Sequence, residues 1–267
     1  MTTKFFMCPA DYFGIDYEIN PWMKVEIQAD NSKAQNQWKS LYKIITEDVK
    51  ADVVTMEPQK GLPDIVFTAN AALIYKNTAL VTSFRCPERQ PESKFYADWF
   101  EANGFDVKFL PEDIAFEGAG DALFSGDVLY SGYVPRTDIS SHAYISELLN
   151  IKVISLELID NRFYHLDTCF CPLTDGYLMY YPDAFDSYGN QVIEANFPEE
   201  KLIRVNEEEA LKFSCNAVNS EYNIVMNLTT DRLKSALKEK GFVTYETDLS
   251  EFMKAGGSSK CLTLKLN

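Results

Sequence analysis

Cys261 closes the run Ala255-Gly-Gly-Ser-Ser-Lys-Cys261 near the end of the chain. Two glycines and two serines make a tight turn in which no side chain blocks close backbone approach, and the alternation Cys261-Leu-Thr-Leu-Lys-Leu predicts a strand that starts at the cysteine. A thiol at such an edge, with Lys260 beside it, has surroundings that lower a cysteine pKa and open it to a ligand. A small buried hydrophobe at a strand start is the other reading. A thiolate nucleophile needs a proton carrier, and the chain has only two histidines. His142 falls on a helix face, whereas His165 stands in a loop beside acid, which makes it the candidate; a hydrogen-bonded structural histidine is its bland alternative. Asp167 lies two residues on, and on a strand the two side chains share a face. Glu117 supplies the group that orients and charges His165, completing a nucleophile, base and orienter. Carboxylates aimed into one cavity repel each other unless a cation fills it. A guanidinium, planar, permanently charged and carrying paired N–H groups, meets that need.

The elements that must bring these residues together recur. Strands are predicted at 4–8 and 53–57 around an amphipathic helix over 30–49, with Trp38, Leu41, Ile45 and Val49 on one stripe. A loop over 11–23, rich in Tyr, Gly, Asn and Pro, contains Asn20. Further strands are predicted at 65–70 and 72–83, a helix over 91–103 capped by Gly104, and a strand at 107–110. A pair at 122–124 and 127–133 turns at Ser125-Gly126. The helix over 140–149, the strand at 152–157 and the pair at 168–172 and 177–181 repeat that order. So do a short helix over 191–195, a strand at 202–205, a turn of helix over 207–212, and a pair at 214–218 and 222–227. The helix over 230–240 and a strand at 243–247 lead back to the terminal strand. Strand pair, helix, strand thus returns about five times at roughly 45 to 60 residues, the mark of similar modules in a ring. In successive modules the loop entering the strand pair carries the polar groups: Asp64 and Asn70, Glu117 and Asp121, His165 and Asp167, and Cys261. Around an axis those loops meet at one mouth.

Composition narrows the partners. The 267 residues are 46% hydrophobic with 18 Phe and 15 Tyr, enough for a large core and against disorder. No linker or composition break divides them, so residues 1–267 are expected to form a single domain. A net charge of −15 disfavours nucleic acid and anionic lipid and favours a small cationic ligand slightly. No stretch has the length of a membrane span and no secretory signal opens the chain, which points to the cytoplasm. The six scattered cysteines do not make a disulfide scaffold, and Cys169 and Cys171 stand one residue apart, closer than a zinc site requires.

Pro63-Asp-Ile-Val-Phe-Thr-Ala-Asn70, Phe116-Glu-Gly-Ala-Gly-Asp121, His165-Leu-Asp-Thr168 and Gly256-Gly-Ser-Ser-Lys-Cys261, in that order over most of the chain, resemble the guanidino-group modifying enzymes. That superfamily holds arginine deiminases, dimethylargininases, amidinotransferases and arginine dihydrolases. The resemblance implies a five-bladed, pseudo-symmetric α/β-propeller, the pentein fold. It implies Cys261 as nucleophile, His165 as general acid and base, Glu117 as its partner, and Asp64 and Asp167 as guanidinium-binding carboxylates. It also matches Arg136 and Arg89 to the arginines that hold the substrate carboxylate, with Arg85, Asp121 and Asn20 as further substrate-binding candidates. Arg85 and Arg89 also read as plain surface charge on a loop. No metal or organic cofactor is implied, because the guanidine carbon is already electrophilic, and a homo-oligomer is possible.

Asn70 departs from the family pattern, since deiminases and dimethylargininases usually have Asp there. An amide donates as well as accepts, so it suits the neutral ureido group left by a first hydrolysis. This feature is similar to arginine dihydrolases, which convert arginine to ornithine, ammonia and carbon dioxide. Some of those carry a further C-terminal domain; with the chain stopping at Asn267, that second activity is not expected. The rivals are a one-round hydrolase or an amidinotransferase on the same fold, and a non-catalytic arginine-binding or ribosome-associated module.

Overall fold

The structure, a computed structural model, describes residues 2–267. The chain opens on β1 (Lys4–Met7), crosses through α1 (Asn31–Lys43) and returns as β2 (Asp52–Thr55), parallel to β1. Parallel neighbours need such a crossover, and an amphipathic helix supplies it while covering the sheet. The stripe of Trp38, Leu41 and Ile45 is buried, packed in one cluster with Phe5 and Met7. A hairpin, a helix and a third strand parallel to the second then follow four times. The first set is β3 (Ala72–Tyr75), β4 (Thr78–Val81), α2 (Glu92–Ala102) and β5 (Asp106–Lys108). The second is β6 (Ala122–Ser125), β7 (Val128–Tyr133), α3 (Ser140–Leu149) and β8 (Lys152–Glu157). The third is β9 (Phe170–Pro172), β10 (Leu178–Tyr180), α4 (Ser187–Asn196) and β11 (Leu202–Arg204). After the short α5 (Glu207–Leu211) come β12 (Val218–Ser220), β13 (Asn223–Met226), α6 (Asp231–Glu239) and β14 (Val243–Glu246). The chain ends through α7 (Ser250–Met253) on β15 (Leu264–Lys265), which pairs antiparallel with β1.

The result is five three-stranded sheets of one topology, a pentein, with the terminal strand completing the sheet that the first strand began. Helix starts are set locally. Asp30, Asp186 and Thr230 accept from backbone N–H groups in the first turns of α1, α4 and α6, and Asn206 and Glu209 make a reciprocal capping box at α5. No helix among the described residues is long and apolar enough to cross a membrane.

Five expectations need correction. The single strand expected at 72–83 is the hairpin of β3 and β4, turned at Lys76 and Asn77. The run 65–70 is two 3₁₀ turns, Pro63–Val66 and Thr68–Asn70. Buried on every side, its apolar residues carry no period, and Pro63 suits the first position of a helical turn. The stretch 214–217 is likewise turned, with β12 starting only at Val218. The strand expected from Cys261 shrinks to β15, because Leu262 N and Thr263 N donate back to Ser258 O and Lys260 O and keep the cysteine in a turn. The helix over 30–49 gives way to a π turn over Ile44–Asp48.

His142 is structural. It is 4% exposed on α3, with Nδ1 2.7 Å from Ser155 Oγ on β8 and Nε2 3.3 Å from Gly132 O on β7. Burial lowers its pKa to about 4, against which the Gly132 carbonyl acts weakly. The unfolded chain therefore binds the extra proton between pH 6.5 and 4, so stability falls as pH drops through that window, by about 2 kcal/mol at pH 5. His142→Gln, which retains a donor and an acceptor, is expected to shrink the loss between pH 7 and pH 5. Urea denaturation of both proteins at the two pH values checks this, and equal losses contradict it.

Candidate active site

Each module enters its first strand through a short turn, and the chemistry sits on those turns. Glycine is required where they touch. A Cβ on Gly120 would stand 2.3 Å from Asn70 Nδ2, and one on Gly257 would stand 2.5 Å from the Phe67 ring. The Cys261 turn is tied to the Asn70 turn by the bond from Ala69 N to Cys261 O, 3.0 Å.

Cys261 is 4% exposed. Its Sγ lies 3.7 Å from Asp167 Oδ2 and 3.0 Å from Asn216 Nδ2, which donates to it. Asn216 Oδ1 accepts from both Ser258 N and Cys261 N, and Nδ2 also donates to Asp167 O, so one amide sets the turn and aims the sulfur. Burial, and then Asp167, push the thiol pKa well above the ordinary cysteine value, and the pull of Lys260 is weaker than either. Lys260 beside the thiol does not offset that burial, because desolvation of an anion outweighs one partly exposed ammonium. Burial also raises Asp167 to about 7, with Lys260 opposing.

His165 Nε2 is 2.6 Å from Glu117 Oε2, which also accepts from Arg136 Nη1 at 3.0 Å. Burial favours a protonated Glu117, but Arg136 and His165 together overcome it and hold the carboxyl well below its usual range. This leaves one imidazole nitrogen free to exchange protons. His165 and Asp167 do not share a strand face. They flank Leu166 at a 3₁₀ turn, one directed to Glu117 and the other to Cys261.

Arg89 is buried and committed. It makes a bidentate pair with Glu92 (3.0 and 2.8 Å), donates to Asn70 Oδ1 at 2.9 Å and to Asp64 O at 3.2 Å, and stacks over Phe84. One guanidinium N–H remains. Because Arg89 can only donate, it fixes Asn70 with Oδ1 toward itself and Nδ2 toward Glu117 O at 3.1 Å, leaving one amide N–H. Asp64 Oδ2 accepts from Tyr17 at 3.0 Å, whereas its Oδ1 is buried without a partner. Arg136 lies over the Tyr164 ring and donates to Ile19 O at 2.8 Å.

These groups surround a cleft lined by Asn20, Asp64, Asn70, Arg89, Arg136 and Cys261, with Ile19, Phe67 and Tyr164 as its apolar walls. Asn20 pins the loop over the cleft, donating to Ala255 O and accepting from Trp22 N and Met23 N. Glu117 and Asp167 are outside the lining of the cleft and touch it through Arg136 and Cys261, and His165 through Glu117, whereas two further expected residues are elsewhere. Asp121 spends its oxygens on Leu166 N (2.9 Å) and Thr137 Oγ1 (2.7 Å), supporting the turn behind His165. Arg85 stays at the half-exposed rim, paired with Asp138 and donating to Arg136 O. Asp121 was expected at the mouth because its loop converges there with the others, and the loop does converge, but its side chain is turned to Thr137 and Leu166. Sequence reasoning missed Asn216, Tyr17 and Tyr164. Asn216 stands two residues ahead of β12 as Asn70 does ahead of β3, so the module repeat was the signal for it. Among the described residues no three His, Cys, Asp or Glu side chains are grouped as metal ligands.

Five blades whose entry turns bring a thiol, an imidazole and acids to one end of the axis are the architecture of the guanidino-group modifying enzymes. The chain belongs to that superfamily: the family described as N,N dimethylarginine dimethylhydrolase, eukaryotic, matches residues 10–267. It is 50% identical over 266 residues to the bifunctional arginine dihydrolase/ornithine cyclodeaminase AgrE of Nostoc sp., covering 98% of this chain and 38% of that protein. It is 39% identical to the N(G),N(G)-dimethylarginine dimethylaminohydrolase of Mycobacterium tuberculosis, covering 100% of this chain and 86% of the other. The crystal structure of the product-bound N-terminal domain of ArgZ, an arginine dihydrolase of cyanobacteria, superposes with a TM-score of 0.97 at 50% identity, covering 100% of this chain and 98% of that one. The chain spans less than two fifths of the bifunctional relative's length.

Proposed function

We propose that residues 1–267 act as one catalytic domain that hydrolyses L-arginine twice at its guanidine carbon, giving ornithine, two ammonia and carbon dioxide. The observation that carries the reading is Asp64 Oδ1, a buried carboxylate oxygen without a partner beside the cleft that Cys261 lines. A guanidinium N–H satisfies it, and a second edge of the same cation faces Asp167. The cation also answers the question of the thiol. Placed against Sγ, it favours the thiolate that burial disfavours, so the nucleophile forms when substrate is bound. Free space in the cleft is about 10 Å³, no more than one water occupies, so arginine enters when the loop held by Asn20 moves.

In the first round the Cys261 thiol gives its proton to His165 and the thiolate attacks the guanidine carbon; His165 passes that proton to the departing ammonia, and a planar thiouronium adduct remains. Water, deprotonated by His165, attacks that carbon and releases the thiolate and a ureido group. In the second round the thiolate attacks the ureido carbon, the second ammonia leaves, and water cleaves the thiocarbamate to a carbamate that loses carbon dioxide. Asn70 supports retention between rounds, because its unspent N–H suits the ureido oxygen where a carboxylate would repel it. The relatives described as arginine dihydrolases support the same reading. Six cysteines without a disulfide suit a reducing compartment, and we place the protein in the cytoplasm.

Ammonia released per arginine consumed tests the proposal. Two is expected for the protein as it stands, and for Asn70→Asp a fall toward one with citrulline accumulating. One ammonia from the unaltered protein rejects the second round. Dimethylamine released from dimethylarginine at a higher kcat/KM than ammonia from arginine would favour the one-round reading that the family description suggests.

A further inference from the structure

The first strands of all five sheets, β3, β6, β9, β12 and β15, line a second cavity along the axis, of about 830 Å³ and open to solvent at Lys76 and Lys265. The catalytic turns precede those strands, so the cleft lies at their N-terminal ends and this cavity runs toward the opposite end, past the hairpin turn at Lys76 and Asn77. Lys260 and Cys261 stand on opposite sides of the partition, the lysine lining the cavity and the cysteine the cleft. The charge of the cavity is the reverse of the molecule's. Lys76, Lys260 and Lys265 line it and no Asp or Glu side chain does, in a chain of net charge −15. None of the three ammonium groups has a hydrogen bond or ion pair among the described residues. Partial desolvation, and then repulsion from Lys260, lower the pKa of the Lys265 ammonium, as expected when like charges face one space. Between the lysines the walls are mainly apolar, with Leu123, Phe170, Leu173 and Val218 among them and Thr174, Asn219 and Thr263 as polar interruptions.

We propose that this axial cavity is a second binding site, distinct from the catalytic cleft, for an organic carboxylate with an apolar body, its anionic end held by Lys260 and Lys265 and its body against the apolar walls. A fully hydrated inorganic anion gains nothing from those walls, and a neutral apolar molecule leaves the ammonium groups unanswered. The volume falls within the range of small-molecule sites.

The test is calorimetric titration of the 267-residue chain with octanoate, the cleft being filled by saturating arginine in a Cys261→Ala background. Saturable binding of one octanoate per chain is expected, at affinities of about 1 mM or tighter. Octanamide, the neutral analogue, is expected to bind at least about tenfold more weakly, and Lys76→Gln with Lys265→Gln to weaken octanoate by about tenfold, while arginine turnover of that double variant in the native-cysteine chain stays unchanged. Octanoate binding that appears only when arginine is left out overturns the proposal by locating the anion in the cleft on Arg89 and Arg136. Equal affinity for octanamide, no response to the lysine substitutions, or no saturable binding overturns it as well.

Discussion

Cys261→Ala is expected to lower ammonia release from arginine by roughly 10⁴-fold or more, because the covalent step has no substitute nucleophile in the cleft. The other sulfurs do not replace it, because among the described residues Cys261 is the only cysteine that lines the cleft, and Cys169, Cys171 and Cys215 are packed in a hydrophobic core. Arginine binding is expected to survive, since Asp64, Asp167 and Arg136 remain, and calorimetry separates binding from turnover. Turnover within tenfold of the unaltered protein would exclude Cys261 as the nucleophile. A companion measurement addresses how the thiolate arises. With the free thiol's pKa raised, alkylation by neutral iodoacetamide at pH 7.5 is expected to be slow and to quicken about tenfold per pH unit, following the thiolate fraction. Fast, pH-independent alkylation would mean that the protein alone activates the sulfur.

Glu117→Gln is the second large effect, and it acts on rate and stability together. The rate is expected to fall by roughly 10² to 10⁴, because an amide neither charges His165 nor holds a single ring orientation as a carboxylate at 2.6 Å does. Stability is expected to fall by about 3 kcal/mol or more at pH 7, because Arg136, 3% exposed, loses its buried counter-charge. The pH dependence gives the sign. The Glu117 carboxyl is lowered in the folded protein, so its contribution is complete above about pH 4.5 and is lost only as pH falls further, through the folded value. The gap in melting temperature between the two proteins should therefore be constant from pH 8 to pH 5 and narrow below it. Ammonia release together with thermal melts from pH 8 to pH 3 reads both effects, and a variant with kcat within threefold would remove Glu117 from the proton relay.

The modular order was legible in the sequence because each part of it is a local property. The burial period of Trp38, Leu41 and Ile45, the cap at Asp30, and the hairpin between β6 and β7 are each specified by residues a few positions apart. The same holds for the chemistry on each turn, a cysteine after Gly-Gly-Ser-Ser, a histidine beside an acid, and a glutamate ahead of Gly-Ala-Gly. Where local pattern was silent the reading failed, as at the buried runs 65–70 and 214–217, whose apolar residues face core on every side.

By itself the sequence determined which groups stand on the entry turns and that five similar units follow one another. Only the tertiary structure decided which of those groups meet: Cys261 with Asp167 across 94 residues, His165 with Glu117 across 48, and Asn216 with both turns. It also decided that Asp121 and Arg85 serve their neighbours and that the thiol is buried against Asp167. The physical reason is that turn and helix propensities are short-range, whereas desolvation and the pairing of charges depend on what the closed ring of sheets brings within a few ångströms.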